Sequence, residues 1–410
     1  MTILSEQQFA AEPGVTAPRV VLLTPSRGLG GGIERYLDTI EDHLRAGGAN
    51  IRRFDLLDSS RSLTVRTQAS YILRTLASIR RLGRVDSIVV GHVSLAPVAC
   101  LAARLTRTRR VPVMFYGVDI WGGGRALRRL IARDPLLYPV TISSYSAGGL
   151  VSVGLAQILQ PGIPQVWRDI LLTEGSRQRP LSAVPTVLSV FRLGVWKAKG
   201  LPELVEAVTA ARAIVGPVQL VIAGKGPAPG ALHELVAPYE YIELHESPDD
   251  AALAQLYATA DMFALCTRTR TAPPFSGEGY GIVLMEAQLA GCAVVGPASG
   301  GSRDAYLEGV TGRTPLDESP TALAEVLCDM LADRVCLARM GRRAAEWAQG
   351  ATDPANYTRL VMATLTGAVP RATSGPAIPS QRGRRAGQTT GHLRLPSRRQ
   401  PTARAHPPTT

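Results

Sequence analysis

The amino-acid sequence predicts an α/β fold of two doubly wound halves, each a parallel sheet covered by helices. Three observations carry that expectation. Short apolar runs alternate with amphipathic segments in two successive series, the pattern of strands buried beneath helices. A polar, proline-bearing stretch, Thr173 to Pro185, separates the series and has the character of a linker. The length of 410 residues exceeds what one ordinary core organises and suits two domains.

In the first series, Arg19 to Ser26 is a continuous apolar run ending in a glycine cluster, and IERYLDTIEDHLRAGG follows with helical spacing. The unit recurs as SIVVGH before LAPVACLAARLTR, as VPVMFYG before a Gly-rich loop and a helix, and as VTISSYS before a short helical stretch. The second series starts with TVLSVFR at Thr186 and runs through LPELVEAVTAARAIV, VQLVIAG, YIELHE, DAALAQLYATA, DMFALC, GIVLMEAQLAG and CAVVGP. A last helix starts at Thr321, and Asp353 to Leu365 has helical spacing that suits a segment crossing back onto the first half. The expected organisation is a disordered leader (1–16), an N-terminal Rossmann-like domain (17–178), a linker (179–185) and a C-terminal Rossmann-like domain (186–351). A returning helix (352–367) and a disordered tail (368–410) complete it.

The net charge of +12 suggests a nucleic-acid or membrane binder until the charges are located. Residues 371–410 hold eight Arg and no Asp or Glu, so removing them leaves +4 on the rest of the chain, an ordinary value for an enzyme. That tail has too few apolar residues to repay the entropy of ordering. Its arginines, spaced among prolines and without aromatics to stack on bases, fit non-specific electrostatics better than base readout, and tethering to an anionic membrane surface and a solvated tail of no consequence are both open. No specific nucleic-acid partner is expected. Cys100, Cys266, Cys292, Cys328 and Cys336 form no C-x-x-C pair and read as buried free thiols of a reducing compartment. The start of the chain lacks the signature of a signal peptide, and the apolar window Ile88 to Ala103 is broken by His92 and Pro97. The expected location is cytoplasmic, with peripheral contact at the inner membrane face through the tail as an option.

The chemistry concentrates in CTRTRTAPPFSGEGYGIVLMEAQLAGCAVVGPASGG (Cys266 to Gly301). A strand ends, a loop presents Glu278, and Gly279 and Gly281 permit close backbone approach. A helix then starts near Tyr280, and its free first-turn amides make a cradle for a pyrophosphate. Glu286 falls about two turns into that helix, where a carboxylate facing the same cleft can take two ribose hydroxyls.

Two Glu separated by seven residues within SGEGYGIVLMEA, followed by LAG and a strand, resemble the signature of the retaining GT-B glycosyltransferases, the glycosyl transferases of group 1. The resemblance implies two Rossmann-like domains facing a cleft. It places Glu278 on the donor sugar, Glu286 on the nucleotide ribose, and the backbone of Gly281, Ile282 and Val283 on the phosphates. SVFRLGVWKAKGLPELVEA is similar to the family's strand ending in Arg, followed by a loop Lys and a helix. Arg192 and a lysine would neutralise the charge that develops on a leaving diphosphate. Two lysines compete for that role. Lys197 has the family's common spacing from Arg192 and is preferred, while Lys199 has the neighbouring Gly.

In LTPSRGLGGGIERY, which resembles the family's first Gly-rich loop, Gly31 and Gly32 would offer amides to the donor phosphate or the acceptor. His92 resembles the family's cleft histidine that contacts the donor sugar, its competing reading being a capping His without ligand. Asp119 in YGVDIW resembles the acceptor-side loop and could bond an acceptor hydroxyl, or could be an ordinary turn carboxylate. Asp304 stands where the family usually has Glu.

The implied activity is retaining transfer of a hexose-type sugar from a UDP-, GDP- or ADP-sugar to a glycan, lipid-linked or small-molecule acceptor. No dedicated nucleophile and no cofactor are expected, nor a metal, since the matched loops contain no D-x-D pair and the cationic clamp supplies what a metal would. A sugar-nucleotide epimerase or phosphorylase on the same fold, or a catalytically silent nucleotide-sugar-binding protein, are the alternatives.

Overall fold

The computed structural model describes residues 17–29, 31–58, 63–121, 125–177, 182–272 and 275–368. The expected leader (1–16), nearly all of the basic tail (369–410) and part of the linker (179–181) lie outside the described residues.

The first sheet holds β1 (Arg19–Arg27), β2 (Asn50–Asp58), β3 (Ser87–Val90), β4 (Val111–Phe115), β5 (Leu137–Thr141) and β6 (Gln157–Ile158). They pair in parallel in the order β2-β1-β3-β4-β5-β6. The helices of this half are α1 (Gly32–Ala46), α2 (Val65–Leu82), α3 (Ala96–Thr106), α4 (Val118–Trp121), α5 (Arg125–Arg133), α6 (Ser144–Gly148) and α7 (Gln165–Gly175). The second sheet holds β7 (Thr186–Val190), β8 (Gln219–Gly224), β9 (Ile242–Glu246), β10 (Met262–Ala264), β11 (Ala293–Val295) and β12 (Gly312–Arg313). Its order is β12-β11-β10-β7-β8-β9, again all parallel. Around it lie α8 (Leu201–Val215), α9 (Gly230–Val236), α10 (Asp250–Thr259), α11 (Ile282–Leu289), α12 (Pro320–Ala332), α13 (Arg334–Ala351) and α14 (Pro354–Thr366). The molecule is thus built of two doubly wound, Rossmann-like sheets, the class the sequence predicts.

The two strand orders locate the functional edges. Each sheet grows in both directions from its first strand, so its order reverses once: between β1 and β3 in the first, between β7 and β10 in the second. Neighbouring loops at such a reversal run to opposite faces and leave a crevice at the carboxyl ends of the strands, where open α/β sheets take ligands. The loops at these two crevices contain Gly31, Gly32 and His92 in one half, and Arg192, Lys197, Lys199 and Glu278 in the other.

Local chemistry explains most boundaries. The residues of β3 and β4 are buried throughout, as strands covered on both faces must be. Asp249, Ser319, Asp333 and Asp353 each accept a first-turn amide and cap α10, α12, α13 and α14. Sequence patterning does not reveal β2, because NIRRFDLLD is rich in charge. It forms an edge strand because Arg53, only 4% exposed at its side chain, is neutralised there by Glu41 at 2.8 Å, Asp55 at 2.7 Å and Asp38.

One buried apolar cluster runs through both halves, joining Val20, Leu37 and Met114 to Phe263, Leu284 and Val361. α14 fastens onto the first half: Tyr138 Oη donates to the Thr364 carbonyl at 2.8 Å, Tyr357 Oη to the Gln160 carbonyl at 2.9 Å, and His43 Nδ1 lies 2.8 Å from Thr358 Oγ1. α7 packs against α10 and α11 of the second half, so the chain leaves the first sheet before the polar stretch begins. Among the described residues no helix is long and apolar enough to cross a membrane.

Candidate functional site

At the second crevice the chain leaves β7 through Phe191 and Arg192 into a short 3-10 turn, Leu193–Val195, then reaches Gly200 at the start of α8. Gly200 has φ 71° and lies so close to the Cys266 carbonyl that no side chain fits. Arg268 N donates to the Ala198 carbonyl at 3.0 Å, so the loops following β7 and β10 are stitched together. This contact presents Lys199 to Glu278. Lys199 Nζ sits 2.7 Å from Glu278 Oε2 and 3.3 Å from Thr267 Oγ1, and the Thr267 hydroxyl donates to the same carboxylate oxygen at 2.7 Å.

Lys199, rather than the preferred Lys197, is therefore the lysine that meets Glu278. Lys197 is exposed, its ammonium 5.1 Å from the Trp196 ring centroid. The 3-10 turn, the Ala198 carbonyl held by Arg268 N and Gly200 pressed on the Cys266 carbonyl together carry Lys199 inward and turn Lys197 out. Arg192 is exposed and has no ion pair among the described residues, so its guanidinium faces solvent.

α11 starts at Ile282 behind Gly281, whose φ of 78° glycine adopts at low cost and other residues do not, and no side chain among the described residues caps it. The first-turn amides, Ile282 and Val283 included, are left for a ligand. Beside them lies a hydroxyl that sequence reasoning missed. Ser302 is 1% exposed, and its Oγ has no hydrogen-bond partner among the described residues and lies 3.0 Å from where a side chain on Gly281 would begin. Uncapped amides and an orphaned hydroxyl are a donor set that suits phosphate oxygens.

Glu286 differs from its expected posture. It is 4% exposed; Oε1 accepts from Trp167 Nε1 and Oε2 from Tyr257 Oη, each at 3.0 Å. Burial raises its pKa above the ordinary carboxylate value, against the pull of the Trp167 and Tyr257 hydrogen bonds and the positive charge of Arg35. Arg35 belongs to α1 of the first half, and it too escaped the sequence reading.

The first crevice is built differently. Glu34, in the first turn of α1, accepts from Ser26 Oγ at 3.1 Å, from Leu29 N at 3.3 Å and from Gly28 N. Arg53 donates to the Ser26 carbonyl at 3.2 Å, tying the same loop to the buried ion cluster of β2. These contacts hold the glycine loop from below. Gly31 and Gly32 are exposed, and among the described residues a side chain at either would meet nothing within 4 Å. His92 caps the turn after β3, its Nδ1 accepting from Ser94 N at 3.3 Å. With Nδ1 as acceptor, a neutral ring carries its proton on Nε2 and offers a donor there. Asp119 is spent on its own turn, accepting from Tyr116 N at 3.1 Å and Gly117 N at 2.7 Å, which is the turn-carboxylate arrangement.

The two crevices adjoin. Asp304 Oδ2 accepts from Ser144 N and Oδ1 from Ser144 Oγ, both at 2.6 Å, so the residue standing where Glu is usual bolts α6 to the second half. Gly279 lies against the Tyr116 carbonyl, and a side chain there would come within 2.6 Å of it. Among the described residues no group of three or more His, Cys, Asp or Glu side chains is placed to hold a metal ion.

Comparison with known proteins agrees with this geometry. Residues 184–333 match the family model of glycosyl transferases group 1. The GDP-mannose-dependent alpha-(1-6)-phosphatidylinositol monomannoside mannosyltransferase of Mycobacterium tuberculosis is 30% identical over 277 residues, covering 64% of this chain and 71% of the relative. The D-inositol 3-phosphate glycosyltransferase of Corynebacterium efficiens is 33% identical over 130 residues, 30% of this chain and 29% of that one. Among solved structures, a glycosyltransferase from Rickettsia africae superposes with a TM-score of 0.68 at 16% identity, over 85% of this chain and 98% of its own. Anabaena HepE in complex with UDP superposes at 0.64 and 18% identity, over 85% of this chain and 100% of its own. With its two Rossmann-like sheets meeting at their carboxyl edges and a relative matched over most of its length, the chain belongs to the glycosyl transferases group 1 family and has the GT-B fold.

Proposed function

We propose that this transferase is retaining and moves a hexose-type sugar from a UDP-, GDP- or ADP-sugar to a glycan, lipid-linked or small-molecule acceptor. The observation that carries the reading is the second crevice itself: Lys199 paired to Glu278, with Arg192 free nearby in the same loop and the uncapped start of α11 beside Ser302. A diphosphate seated there would meet two cations and a helix N-terminus, the groups that stabilise its charge as the glycosidic bond breaks. Glu278, fixed by Lys199 and Thr267, would contact the donor sugar. Glu286 keeps a lone pair on each oxygen for the ribose hydroxyls. Gly31, Gly32 and the Nε2 donor of His92 would face the sugar and its phosphate from the opposite half.

In the step itself, the bond from the anomeric carbon to the diphosphate oxygen breaks and a bond from the acceptor oxygen forms on the same face. The acceptor proton passes to the leaving phosphate oxygen, which removes the need for a protein base. The HepE complex with UDP and the GDP-mannose dependence of the mycobacterial relative support a nucleotide-sugar donor. The test is to screen UDP-, GDP- and ADP-sugars with a defined acceptor and determine the product's anomeric configuration by NMR. Retention with the donor found is expected; inversion, or donor conversion without any acceptor, would overturn the reading.

A further inference from the structure

A cavity of about 570 Å³ opens at the amino edge of the first sheet, where α2 ends, β3 begins and α3 turns into β4. This is the edge opposite the crevice. The 4 residues of β3 separate the two by roughly 13 Å, at about 3.3 Å per residue, and the transferase chemistry makes no use of the cavity.

Three guanidiniums line it: Arg84 follows α2, Arg107 ends α3, and Arg109 leads into β4. Among the described residues Asp86 is the one carboxylate of the lining, and it is engaged twice. Its Oδ2 accepts from Arg19 N at 2.9 Å, and its Oδ1 lies 3.7 Å from Arg84 Nε. Arg107 and Arg109 are exposed and have no side-chain hydrogen bond or ion pair among the described residues. Arg80 and Arg81 flank the cavity from the last turn of α2. The carbonyl ends of α2 and α3 temper this charge, but each amounts to only about half an elementary charge and acts within its last turn. Cations remain in surplus.

Arg107 marks the place. Its φ of 55° and ψ of 32° are left-handed, a conformation in which helices commonly end on glycine because a side chain there is strained. This chain puts an arginine there, and its side chain lines the cavity. Backbone strain retained at a cavity wall is characteristic of binding sites.

The lining selects the ligand's chemistry. Guanidinium forks match phosphate oxygens in bidentate fashion, and several forks around one cavity suit several phosphate groups. Among the described residues no aromatic ring lines the cavity to stack a base, and the apolar part of the wall is Val85 and Leu105. The volume lies within the range of small-molecule sites.

We propose that this cavity binds a compact oligophosphate, held by Arg84, Arg107 and Arg109, independently of the donor crevice. The phosphates can come as a free inorganic chain or on a nucleoside triphosphate, and both present the same oxygens to the guanidiniums.

The experiment is calorimetric titration of the full chain at about 0.15 M salt, where attraction to scattered surface arginines is screened. Inorganic tripolyphosphate is one probe, and ATP, GTP and UTP form a second arm. Each is titrated into the parent and into Arg192→Ala/Lys199→Ala, which removes the two cations of the donor crevice. Tripolyphosphate binding should survive in that variant, and adding Arg107→Gln/Arg109→Gln should weaken it about tenfold or more, the value of a charge-assisted hydrogen bond. Arg342→Gln/Arg343→Gln, which removes the same charge from exposed positions on α13, should change it less than about twofold. Arg107→Gly separates binding from folding: glycine relieves the left-handed backbone, so the melting temperature should hold or rise while affinity falls. A nucleoside triphosphate that binds more tightly than tripolyphosphate assigns the nucleotide source, and equal or weaker binding assigns the free chain. The proposal is overturned if no probe binds the parent, if all binding vanishes with the donor-crevice cations, or if it is unchanged in both Arg107 variants. An equal loss in the α13 variant overturns it as well, since it would show diffuse attraction to surface charge. None of these outcomes bears on the transferase reading, which the donor screen tests.

Discussion

At the first crevice the loop turns on glycines, and the carboxylate that shapes it, Glu34, points inward at Ser26, Gly28 and Leu29; at the second, the charged groups themselves stand at the edge, with Lys199 against Glu278 and Arg192 free. Both arise from the same topological event, a reversal of strand order, yet one presents backbone and the other presents charge. The difference teaches a division of labour. On the proposed reading a diphosphate would be met in the second half by Lys199 and Arg192, with Lys197 left in solvent. The first half offers amides and the Nε2 donor of His92, which suit hydroxyls of a sugar or acceptor.

If that division is right, the largest losses come from the charged crevice. Glu278→Ala, Arg192→Ala and Lys199→Ala should each lower kcat/KM by about 10²–10³, with melting temperature within a few degrees of the parent. Lys197→Ala should change it by less than about threefold, because that ammonium lies over Trp196 in solvent. Lys197→Ala proving as damaging as Lys199→Ala would break the comparison at its strongest point.

Glu286 sharpens it further, because it is the acidic group of the second half that faces inward. Truncation to Ala leaves Trp167 Nε1 and Tyr257 Oη buried without acceptors, and the expected loss is on the order of 2–3 kcal/mol in a denaturant titration. Glu286→Gln, which keeps one acceptor, should lose less stability, and a rise in donor KM with the melting temperature preserved would place the ribose on it. An Ala variant as stable as the parent would show that the Trp167 and Tyr257 contacts contribute nothing.

Glu34→Ala tests the backbone half. Three donors around the glycine loop lose their acceptor, so a loss of about 1–2 kcal/mol is expected, with roughly tenfold lower kcat/KM as the loop loosens. Normal turnover in a destabilised variant would mean that the loop's shape matters to the fold alone.

The two halves were also unequally legible. In the second, apolar runs from TVLSVFR onward mark every strand but the two-residue β12, and the spacing of Glu278 from Glu286 announces a helix behind a loop. In the first, β2 is hidden because its stability comes from an ion cluster around Arg53, and charge is the signal that argues against a strand. α2 buries only Tyr71, Thr75 and Ile79, too narrow a stripe among arginines to stand out. Contacts between distant segments were not legible at all: Lys199 with Glu278, Trp167 with Glu286, and Ser144 with Asp304 join residues 79 to 160 positions apart. Spacing within a loop could not choose between Lys197 and Lys199, because the choice is made by Gly200 pressing on Cys266 across the sheet. Ser302 and Arg35 lack even a motif, and only the folded chain shows what they face.

The smallest effect concerns how the halves are held together. His43 on α1 lies 2.8 Å from Thr358 Oγ1 and edge-on to Tyr357, both on α14, and burial lowers its pKa below the usual 6.5. A lowered folded value means that the fold favours the neutral ring, so its stabilising contribution is complete above about pH 6.5 and is lost as pH falls through the lower folded value. His43→Gln keeps a hydrogen-bonding group for Thr358 but does not titrate. The difference in melting temperature between parent and variant should therefore shrink on acidification from about pH 7.5 to about pH 5.5, as the parent alone takes up this proton. The sign is what discriminates. A difference that widened on acidification would mean that the charged ring is welcomed at the α1 and α14 contact, and that this seam is held by charge, as the second crevice is, instead of by neutral contacts like the first.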